Sequence, residues 1–475
     1  MDESTETSST ETMIGTGPAP KPDTTGRILI TGTRSGAGKT TVTVAVIAAL
    51  KARGLPVSAY KCGPDYIDPM FLSAALGVPA HNLDPFFCDA TTLRHRLAAA
   101  HDQFAVIEGV MGYYDGLGST SRASTFTVAS ATDTPVILVL DASGMAASAG
   151  AIMKGFASYQ EPSGIAGVIV NRASERGYAL IEPLIQEAGL TPLGHLPRTD
   201  SVTWPSRRLG LVTADELTCL NDSIKRLAEL AEDHCDLDAL TALGMRAPGL
   251  SGPEQGPRPG SKGSVVIQRM AAPGPQSSPG DVNSPGSGAA SGFPSATHPE
   301  PTKRRVRLAV ARDEAFCFIY TDTLDLFESL GAELIFFSPI ADGLPPDCDG
   351  LYLPGGYPEL HAEQLSNNRS MRATIASMID SGTPTIAECG GFMYLHDEID
   401  GHPMVGAIKG RACATPRLRR FGYTTLTADR DSLLTPAGAT VLAHEFHYYE
   451  STDPGDGFTA TKASTGQTYP CVHAT

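Results

Sequence analysis

The sequence predicts an α/β protein with two doubly wound domains, each built on a parallel sheet. Strand-like and helix-like segments alternate in both halves of the chain, which is typical of parallel sheets covered by helices on both faces. Between the halves, residues 247–304 are dense in Pro, Gly and Ser and are predicted to form a disordered linker. A chain of 475 residues is also too long for a single hydrophobic core. We therefore expect domains at residues 27–246 and 305–475, preceded by an acidic, hydroxyl-rich and disordered leader at residues 1–26.

Composition argues against several classes of function. The formal net charge of −16 disfavours nucleic acid as the main partner, and no run of 18 apolar residues predicts a membrane span. Nine cysteines, without a CxxC pair or a Cys/His cluster, fit a reducing compartment and do not indicate zinc. The first residues lack the cationic start and apolar core of a signal peptide. We therefore expect a cytoplasmic protein without nucleic-acid or membrane partners, and we leave homodimer formation open.

A glycine-rich turn joins the first predicted strand to the first predicted helix. The stretch ILITGTRSGAGKTT, residues 28–41, predicts a buried strand, a turn and a helix start. Such a turn points backbone N–H groups at a phosphate chain, while Lys39 neutralises the terminal phosphates and the Thr40 hydroxyl binds Mg²⁺. Five residues separate Gly32 from Gly38, one more than in the plain motif, as in P-loop enzymes related to dethiobiotin synthetase. The nucleotide-binding residues predicted in this turn are Gly36, Gly38, Lys39, Thr40 and Thr41.

Polar side chains follow later strands at the edge where ligands collect in open α/β sheets. Asp65 and Asp68 lie in a loop after the second predicted strand, and Glu108 ends the third. With Thr40, these carboxylates are expected to hold Mg²⁺, although the loop alternatively positions a substrate or is a turn that happens to use Asp and Pro. Asp141 ends the fourth predicted strand. Asn171 ends the fifth, where it either reads the purine base of ATP through its amide or forms a strand-end turn.

An arginine-rich loop lies near the end of the first domain, with Arg198, Arg207 and Arg208. Because arginine binds carboxylates bidentately, the loop is a candidate for substrate recognition, and a solvated charged face is the alternative. Residues 213–243, which follow, are predicted to be helical.

A cysteine in the second domain stands at a predicted sharp turn between a strand and a helix. Cys389 lies between Glu388 and two glycines, in the segment TPTIAECGGFMYL. A sulfur near a helix N-terminus is expected to have a lowered pKa, so the thiolate is favoured, and the turn is analogous to a nucleophile elbow. The backbone N–H groups around Gly355 and Gly356, with the one after Cys389, are expected to form an oxyanion hole. Cys389 is therefore the predicted catalytic nucleophile.

The chain resembles the cobyrinic (or hydrogenobyrinic) acid a,c-diamide synthases of cobalamin biosynthesis over nearly its whole ordered length. Each matching segment is modest support, but nine of them in order are very specific. They are GTRSGAGKT (32–40), KCGPDYIDPMF (61–71), NLDPFF (82–87), EGVMGYYDG (108–116), RLGLV (208–212), ARDEAFCFIY (311–320), LPGGYPEL (353–360), ECGGFMYL (388–395) and HEFHY (444–448).

The resemblance implies a P-loop amidoligase domain like dethiobiotin synthetase, followed by a flavodoxin-like class I glutamine amidotransferase domain. Its implied substrates are ATP, glutamine and a corrinoid acid, with two peripheral carboxylates amidated in the presence of Mg²⁺. It implies transfer of the γ-phosphoryl group of ATP to a carboxylate, giving an acyl phosphate. It also implies attack of Cys389 on glutamine, giving a thioester and ammonia, which displaces phosphate from the acyl phosphate.

The sequence departs from the family at the histidine that activates the cysteine. In the family it lies in a Tyr-x-His-x-His-like segment after HEFHY, and no such segment occurs before Thr475. We interpret the second domain either as truncated at its C-terminus or as using another histidine, with His447 as the candidate. Glutamine-driven activity is then expected to be impaired while ammonia-driven activity survives, and equal rates with both donors would contradict this. A smaller departure, Ser206-Arg207, weakens any role for that loop.

Four other functions stay open from the sequence. The first is the same reaction on hydrogenobyrinate, although the LDPFF and AFCFIY segments favour cobyrinate. The second is cobyric acid synthase, which KCGPDYIDP and LPGGYPEL disfavour. The third is a positioning ATPase with a deviant P-loop, which would carry lysine at Arg34 and no amidotransferase domain. The fourth is a regulatory homologue without glutaminase activity.

Overall fold

The computed structural model describes residues 26–100, 103–198, 214–250 and 305–474, with no side-chain description for 214–219. The predicted leader and linker lie outside the described residues except for Gly26 and 247–250, and so do Arg207 and Arg208. The chain forms two compact units. Within the described residues, the first unit comprises those up to 250 together with Phe318–Asp322 and 410–474, and the second comprises 305–317 and 323–409.

The first unit contains a seven-stranded parallel sheet in the order β3-β2-β4-β1-β5-β6-β7. Its strands are β1 (Arg27–Gly32), β2 (Val57–Cys62), β3 (Ala80–Leu83), β4 (Phe104–Glu108), β5 (Val136–Asp141), β6 (Ile165–Asn171) and β7 (Thr191–Leu196). Its helices are α1 (Lys39–Ala52), α2 (Ile67–Leu76), α3 (Ala90–Ala98), α4 (Thr125–Thr132), α5 (Ser148–Ser158), α6 (Glu175–Glu187), α7 (Ala214–His234) and α8 (Leu237–Met245).

Helices cover both faces of this sheet because its strands are apolar on both sides. Ile28 and Ile30 of β1 pack with α1, α2, α7 and α8, whereas Leu29 packs with α3 to α6. Side chains alternate between the faces of a strand, so one apolar run serves two cores. The doubly wound arrangement predicted for this half is confirmed, and strands end at Glu108, Asp141 and Asn171 as expected.

Two details differ from the sequence prediction. Strand β3, which is only four residues long, lies at the edge of the sheet and was not predicted. The single helix expected over 213–243 is two helices, because the Asp236 side chain accepts a 2.8 Å hydrogen bond from the Ala239 amide and starts α8.

The second unit contains a four-stranded parallel sheet in the order β11-β10-β8-β9. In chain order this sheet runs 2-1-3-4, the start of the flavodoxin-like strand order that was expected. The strands are β8 (Val306–Ala311), β9 (Ala332–Phe337), β10 (Gly350–Leu353) and β11 (Thr385–Ala387). The helices in this part of the chain are α9 (Thr321–Ser329), α10 (Ala362–Asn367), α11 (Arg369–Asp380) and α12 (Gly390–Tyr394), followed by the short antiparallel pair β12 (His396–Ile399) and β13 (His402–Pro403).

The last part of the chain consists of antiparallel strands, which were not predicted from the sequence. Four of them form a sheet in the order β16-β15-β18-β19, and β14 pairs with β17. They are β14 (Ile408–Ala414), β15 (Arg420–Ala428), β16 (Thr440–His447), β17 (Tyr449–Ser451), β18 (Phe458–Lys462) and β19 (Thr468–Cys471).

None of the helices in the described part of the chain combines the length and hydropathy that crossing a membrane requires.

Candidate active site

The glycine-rich turn between β1 and α1 is built around a left-handed residue. Gly38, at the start of α1, has φ 96°. A Cβ there would lie 1.9 Å from Nδ2 of Asn171, so no larger residue fits. Asn171 lies against the turn, and its Nδ2 donates a 2.9 Å hydrogen bond to the carbonyl of Ala37. The Asn171 amide therefore holds the shape of the turn.

Lys39 crosses the turn with a buried ammonium group. Its Nζ donates hydrogen bonds to the carbonyls of Met111 at 2.5 Å and Arg34 at 3.2 Å. Burial, with the nearby charge of Lys61, lowers the pKa of Lys39 to about 8. Because burial disfavours the charged ammonium of Lys39, an anion bound at the turn would favour the charged form again. This environment is suited to phosphate binding.

A carboxylate and a hydroxyl meet beside the turn. Thr40 Oγ1 donates a 2.6 Å hydrogen bond to Oε1 of Glu108, which is fully buried at the end of β4. Burial raises the pKa of Glu108, and the adjacent Lys61 opposes this shift. Its second oxygen, Oε2, is buried and has no hydrogen-bond partner among the described residues. Because buried polar atoms normally have a partner, this oxygen is expected to bind a further ligand.

Lys61 completes the cluster and was not singled out by sequence reasoning. Its Nζ lies 2.5 Å from Oδ2 of Asp68 and 3.0 Å from Oε1 of Glu108, and its side chain is only 4% exposed. Burial lowers the pKa of Lys61, but Glu108, Asp68 and Asp65 raise it more, so it lies above the usual lysine value. The available signal was its place at the end of the predicted second strand, in the segment KCGPDYIDP.

Asp65 and Asp68 have different local roles. Asp65 Oδ1 accepts backbone hydrogen bonds from Ile67 at 2.8 Å and Asp68 at 3.2 Å, which forms a turn at the start of α2. Burial, followed by the charge of Asp68, raises the pKa of Asp65. Asp68 is the carboxylate paired with Lys61. The structure therefore brings Thr40, Asp68 and Glu108 together around Lys61, with Asp65 shaping the loop.

Two arginines and an aspartate lie at the rim of the turn. Arg34 Nη2 and Arg172 Nη1 lie 3.2 Å and 2.8 Å from Oδ2 of Asp141, the last residue of β5. Arg172 also donates a 3.4 Å hydrogen bond to the carbonyl of Gly36. Arg198, from the predicted carboxylate-binding loop, is exposed.

The second unit holds Cys389 at the predicted sharp turn. Its backbone has φ 50° and ψ −108°, between β11 and α12. A Cβ on Gly391 would lie 2.0 Å from the carbonyl oxygen of Leu353, so the turn requires glycine there. A non-glycine residue with positive φ stores strain and is often found at a functional site.

The environment of the Cys389 thiol differs from the expectation. Cys389 is exposed at the turn, yet the protein atoms packed around it desolvate the thiol and raise its pKa to about 11. Backbone N–H groups of Gly390 and Gly356 bond to the sulfur and lower the pKa, but by less. The predicted low pKa is therefore wrong, because desolvation outweighs the helix N-terminus. Gly356 is nevertheless at the sulfur, and Gly355 before it is buried.

The candidate histidines lie in the C-terminal strands. His447 Nδ1 is 2.6 Å from the carbonyl of Tyr449, which identifies Nδ1 as the protonated nitrogen and Nε2 as the acceptor. Burial lowers the pKa of His444 to about 4, so this ring is neutral at pH 7. His473 Nε2 lies 3.0 Å from the carbonyl of Asp453.

Comparison with known proteins defines the class of protein first. The family described as the CobQ/CobB/MinD/ParA nucleotide binding domain matches residues 28–212, and the CobB/CobQ-like glutamine amidotransferase domain matches residues 307–470. The P-loop cluster and the Cys389 turn fall within these two matches. The chain thus joins a nucleotide-binding domain to a glutamine amidotransferase domain.

Curated relatives narrow the class to one family. A cobyrinate a,c-diamide synthase of Listeria monocytogenes is 40% identical over 440 residues, covering 90% of this chain and 88% of that protein. One from Thermoplasma volcanium is 39% identical, covering 89% and 85%. A hydrogenobyrinate a,c-diamide synthase of Streptomyces coelicolor is 38% identical, covering 91% and 88%. The chain belongs to the family of cobyrinate and hydrogenobyrinate a,c-diamide synthases, which confirms the resemblance inferred from its nine segments.

Proposed function

We propose that this protein uses ATP to amidate the a- and c-carboxylates of cobyrinate, with glutamine as nitrogen donor, in cobalamin biosynthesis. One observation carries the proposal: a cluster of Thr40, Lys61, Asp68 and Glu108 beside a P-loop, with Lys61 and Glu108 buried, occurs in the same chain as a strained cysteine turn. The names of the relatives support the choice of substrate.

The same cluster suits Mg²⁺. Thr40, Asp68 and Glu108 offer oxygen atoms, which Mg²⁺ prefers. Oε2 of Glu108, which has no hydrogen-bond partner among the described residues, is the atom most in need of a ligand. Asp65 would contribute to this site indirectly, because its side chain shapes the loop that carries Asp68. When bound, Mg²⁺ would neutralise negative charge on the phosphates of ATP.

The ligase reaction then depends on activating a carboxylate, which is a poor electrophile at neutral pH. The backbone N–H groups of residues 36–41 and the ammonium of Lys39 bind the phosphates of ATP. An oxygen of the substrate carboxylate attacks the γ-phosphorus, and ADP leaves, which gives an acyl phosphate. Lys61 pairs with Asp68 and Glu108 and holds both carboxyl groups in position.

The amidotransferase reaction supplies ammonia. The Cys389 sulfur attacks the side-chain amide of glutamine, and the N–H groups of Gly356 and Gly390, with Gly355 beside them, stabilise the oxyanion. Because the thiol pKa is near 11, a general base must take its proton and pass it to the leaving ammonia. From the sequence, His447 is the candidate for this base. Water then cleaves the thioester, and ammonia displaces phosphate from the acyl phosphate.

A steady-state assay tests the proposal. Purified protein with cobyrinate, Mg²⁺, ATP and ammonium should release ADP, and mass spectrometry should find a product with two carboxylates converted to amides. No corrinoid-dependent ADP would reject the ligase function, and four amidations would assign the protein to the cobyric acid synthase reaction. Hydrogenobyrinate is the second candidate substrate, because one relative carries that name. The ratio of kcat/KM for the two substrates decides between them.

A further inference from the structure

One face of the β15–β16 pair and the residue after it carries a row of rings, here called the aromatic face: the exposed Phe421, Phe446 and Tyr448 and the half-buried Tyr423 and His444. Phe421 lies opposite Phe446 and Tyr423 opposite His444 in the strand register, so the rings share one face. The ring centroids of Phe421 and Phe446 are 5.8 Å apart, and those of Phe446 and Tyr448 are 6.1 Å apart. Phe421 is 53% exposed, and Phe446 and Tyr448 are each 51% exposed.

The aromatic face begins beside the cluster of Thr40, Lys61, Asp68 and Glu108, here called the ligase cluster, and both belong to the first unit. Tyr423 OH donates a 2.9 Å hydrogen bond to Asp84, and the Tyr423 ring stacks on Phe86 at 4.2 Å. A Cβ on Gly63 would lie 3.8 Å from the Tyr423 hydroxyl. Asn82 Nδ2 donates to the carbonyls of Gly63 and Asp65, at 2.9 Å and 2.8 Å. The rings therefore extend from the loop that carries the ligase carboxylates.

Cationic side chains precede the aromatic face. The run RLRR, residues 417–420, holds three arginines in four residues of a chain with net charge −16. Arg417 and Arg419 are exposed, and Arg419 Nε lies 2.9 Å from a carboxylate oxygen of Glu450. Arg420 lies on the opposite face of the sheet, where its guanidinium covers the Tyr469 ring at 4.0 Å. Two exposed arginines, Arg417 and Arg419, thus come directly before Phe421 in the chain.

We propose that the aromatic face binds the corrin macrocycle, with peripheral carboxylates of the substrate paired to Arg417 and Arg419. This inference rests on the proposed function, because it names the surface that presents a carboxylate to the ligase cluster. A corrin acid combines a broad apolar ring face with an anionic edge. Exposed aromatic rings next to guanidinium groups complement both parts. A second copy of this chain is disfavoured as the occupant, because the face leads directly into the Asp65 loop.

The first test removes two rings. The double variant Phe421→Ser, Phe446→Ser should weaken cobyrinate binding, measured by equilibrium dialysis and corrinoid absorbance, by about tenfold or more, as loss of a stacking ring typically does. In the ammonium-driven assay the corrinoid KM should rise similarly, while the KM for ATP stays within about twofold of the wild type. Leu433→Ser, which removes an apolar side chain that is 56% exposed elsewhere, is the matched control and should change neither value.

A second test removes the charges. Arg417→Gln with Arg419→Gln should weaken corrinoid binding and reduce its dependence on salt, because fewer ion pairs are screened. Arg430→Gln, which removes an exposed arginine paired with Asp456, is the control and should leave binding unchanged.

Each outcome decides one question. Unchanged corrinoid affinity in both double variants overturns the inference, and so does a wild-type dimer that the ring variant converts to monomer without loss of corrinoid affinity. A wild-type protein that binds cobyrinate through these residues but forms no ADP supports the aromatic face and rejects the proposed ligase function. A wild-type protein that neither binds cobyrinate nor forms ADP rejects both.

Discussion

Thr40 Oγ1 donates a 2.6 Å hydrogen bond to Oε1 of Glu108, while the other carboxylate oxygen of Glu108 is buried without a partner in the described part of the chain. The bond joins the first turn of α1 to the end of β4. It brings a hydroxyl and a carboxylate together beside the P-loop, where we propose that Mg²⁺ binds. The first prediction follows from this pair.

Glu108→Gln should lower the ammonium-driven kcat by at least about 100-fold, because it removes a charge that acts at the reacting phosphate. The measurement is ADP release at saturating cobyrinate over a range of Mg²⁺ concentrations. The control is Glu232→Gln, which removes a surface partner of Arg53 and should stay within about twofold of wild type. Full activity in the Glu108 variant would remove this carboxylate from the mechanism.

Cys389→Ser should separate the two nitrogen donors. Glutamine-driven product formation should fall at least about 1000-fold, since removal of a nucleophile has effects of this size or more. Ammonium-driven turnover should be unchanged, because the thiol takes no part in carboxylate activation. Cys348→Ser, a half-buried thiol of the same unit, is the matched control. Equal loss with both donors would contradict separate reactions.

The raised pKa of Cys389 predicts a steep pH dependence of its chemical modification. With a pKa of about 11, the thiolate fraction grows roughly tenfold per pH unit between pH 7 and 10. The rate of iodoacetamide alkylation at Cys389, followed by peptide mass spectrometry without glutamine, should rise in step. A rate that levels off below pH 8 would mean that a neighbouring group already holds the proton near neutrality.

Gly38→Ala should abolish ATP binding, because the new Cβ would meet the Asn171 amide at 1.9 Å and the residue would keep a φ of 96°. Isothermal titration with ATP measures the loss. Gly155→Ala in α5 is the matched control, because a Cβ there meets nothing within 4 Å. That variant should bind ATP normally and gain roughly 0.5–1 kcal/mol in free energy of unfolding. Normal ATP affinity in the Gly38 variant would show that the turn can open.

The buried carboxyl group of Asp84 should make the folding stability of the protein depend on pH in mild acid. Burial raises its pKa from 3.8 to about 6, so the folded state binds this proton more tightly than the unfolded state. The stabilisation is complete below about pH 4 and is lost as pH rises through 6, amounting to about 3 kcal/mol. The amide of Asp84→Asn does not titrate, so the variant lacks this pH-dependent stabilisation. Between pH 4 and 7, the free energy of unfolding of the variant, measured with urea, should therefore rise relative to that of the wild type by about that amount. A difference that stays constant with pH would contradict the raised pKa of Asp84.

Much of the nucleotide half could be predicted because its signals are local. The strand, turn and helix around Gly38 follow from apolar runs and glycine spacing, and so do the strand ends at Glu108, Asp141 and Asn171. Strand β3 was missed because four residues are too few for a clear pattern. The Cys389 turn was predicted from one glycine pair, which is again a local signal.

The sequence by itself determined the fold class and the family, and it predicted two sets of candidate site residues, since each depends on short segments in a fixed order. Only the tertiary structure decided how those residues act on one another. Lys61 joins the cluster because β2 and β4 are neighbours in a register that sets Lys61 beside Glu108, although 46 residues lie between them in sequence. The Cys389 thiol is less acidic than its helix N-terminus implies, because desolvation sums over atoms brought near by folding. Charge and burial act through space, so the order of residues alone does not determine their balance.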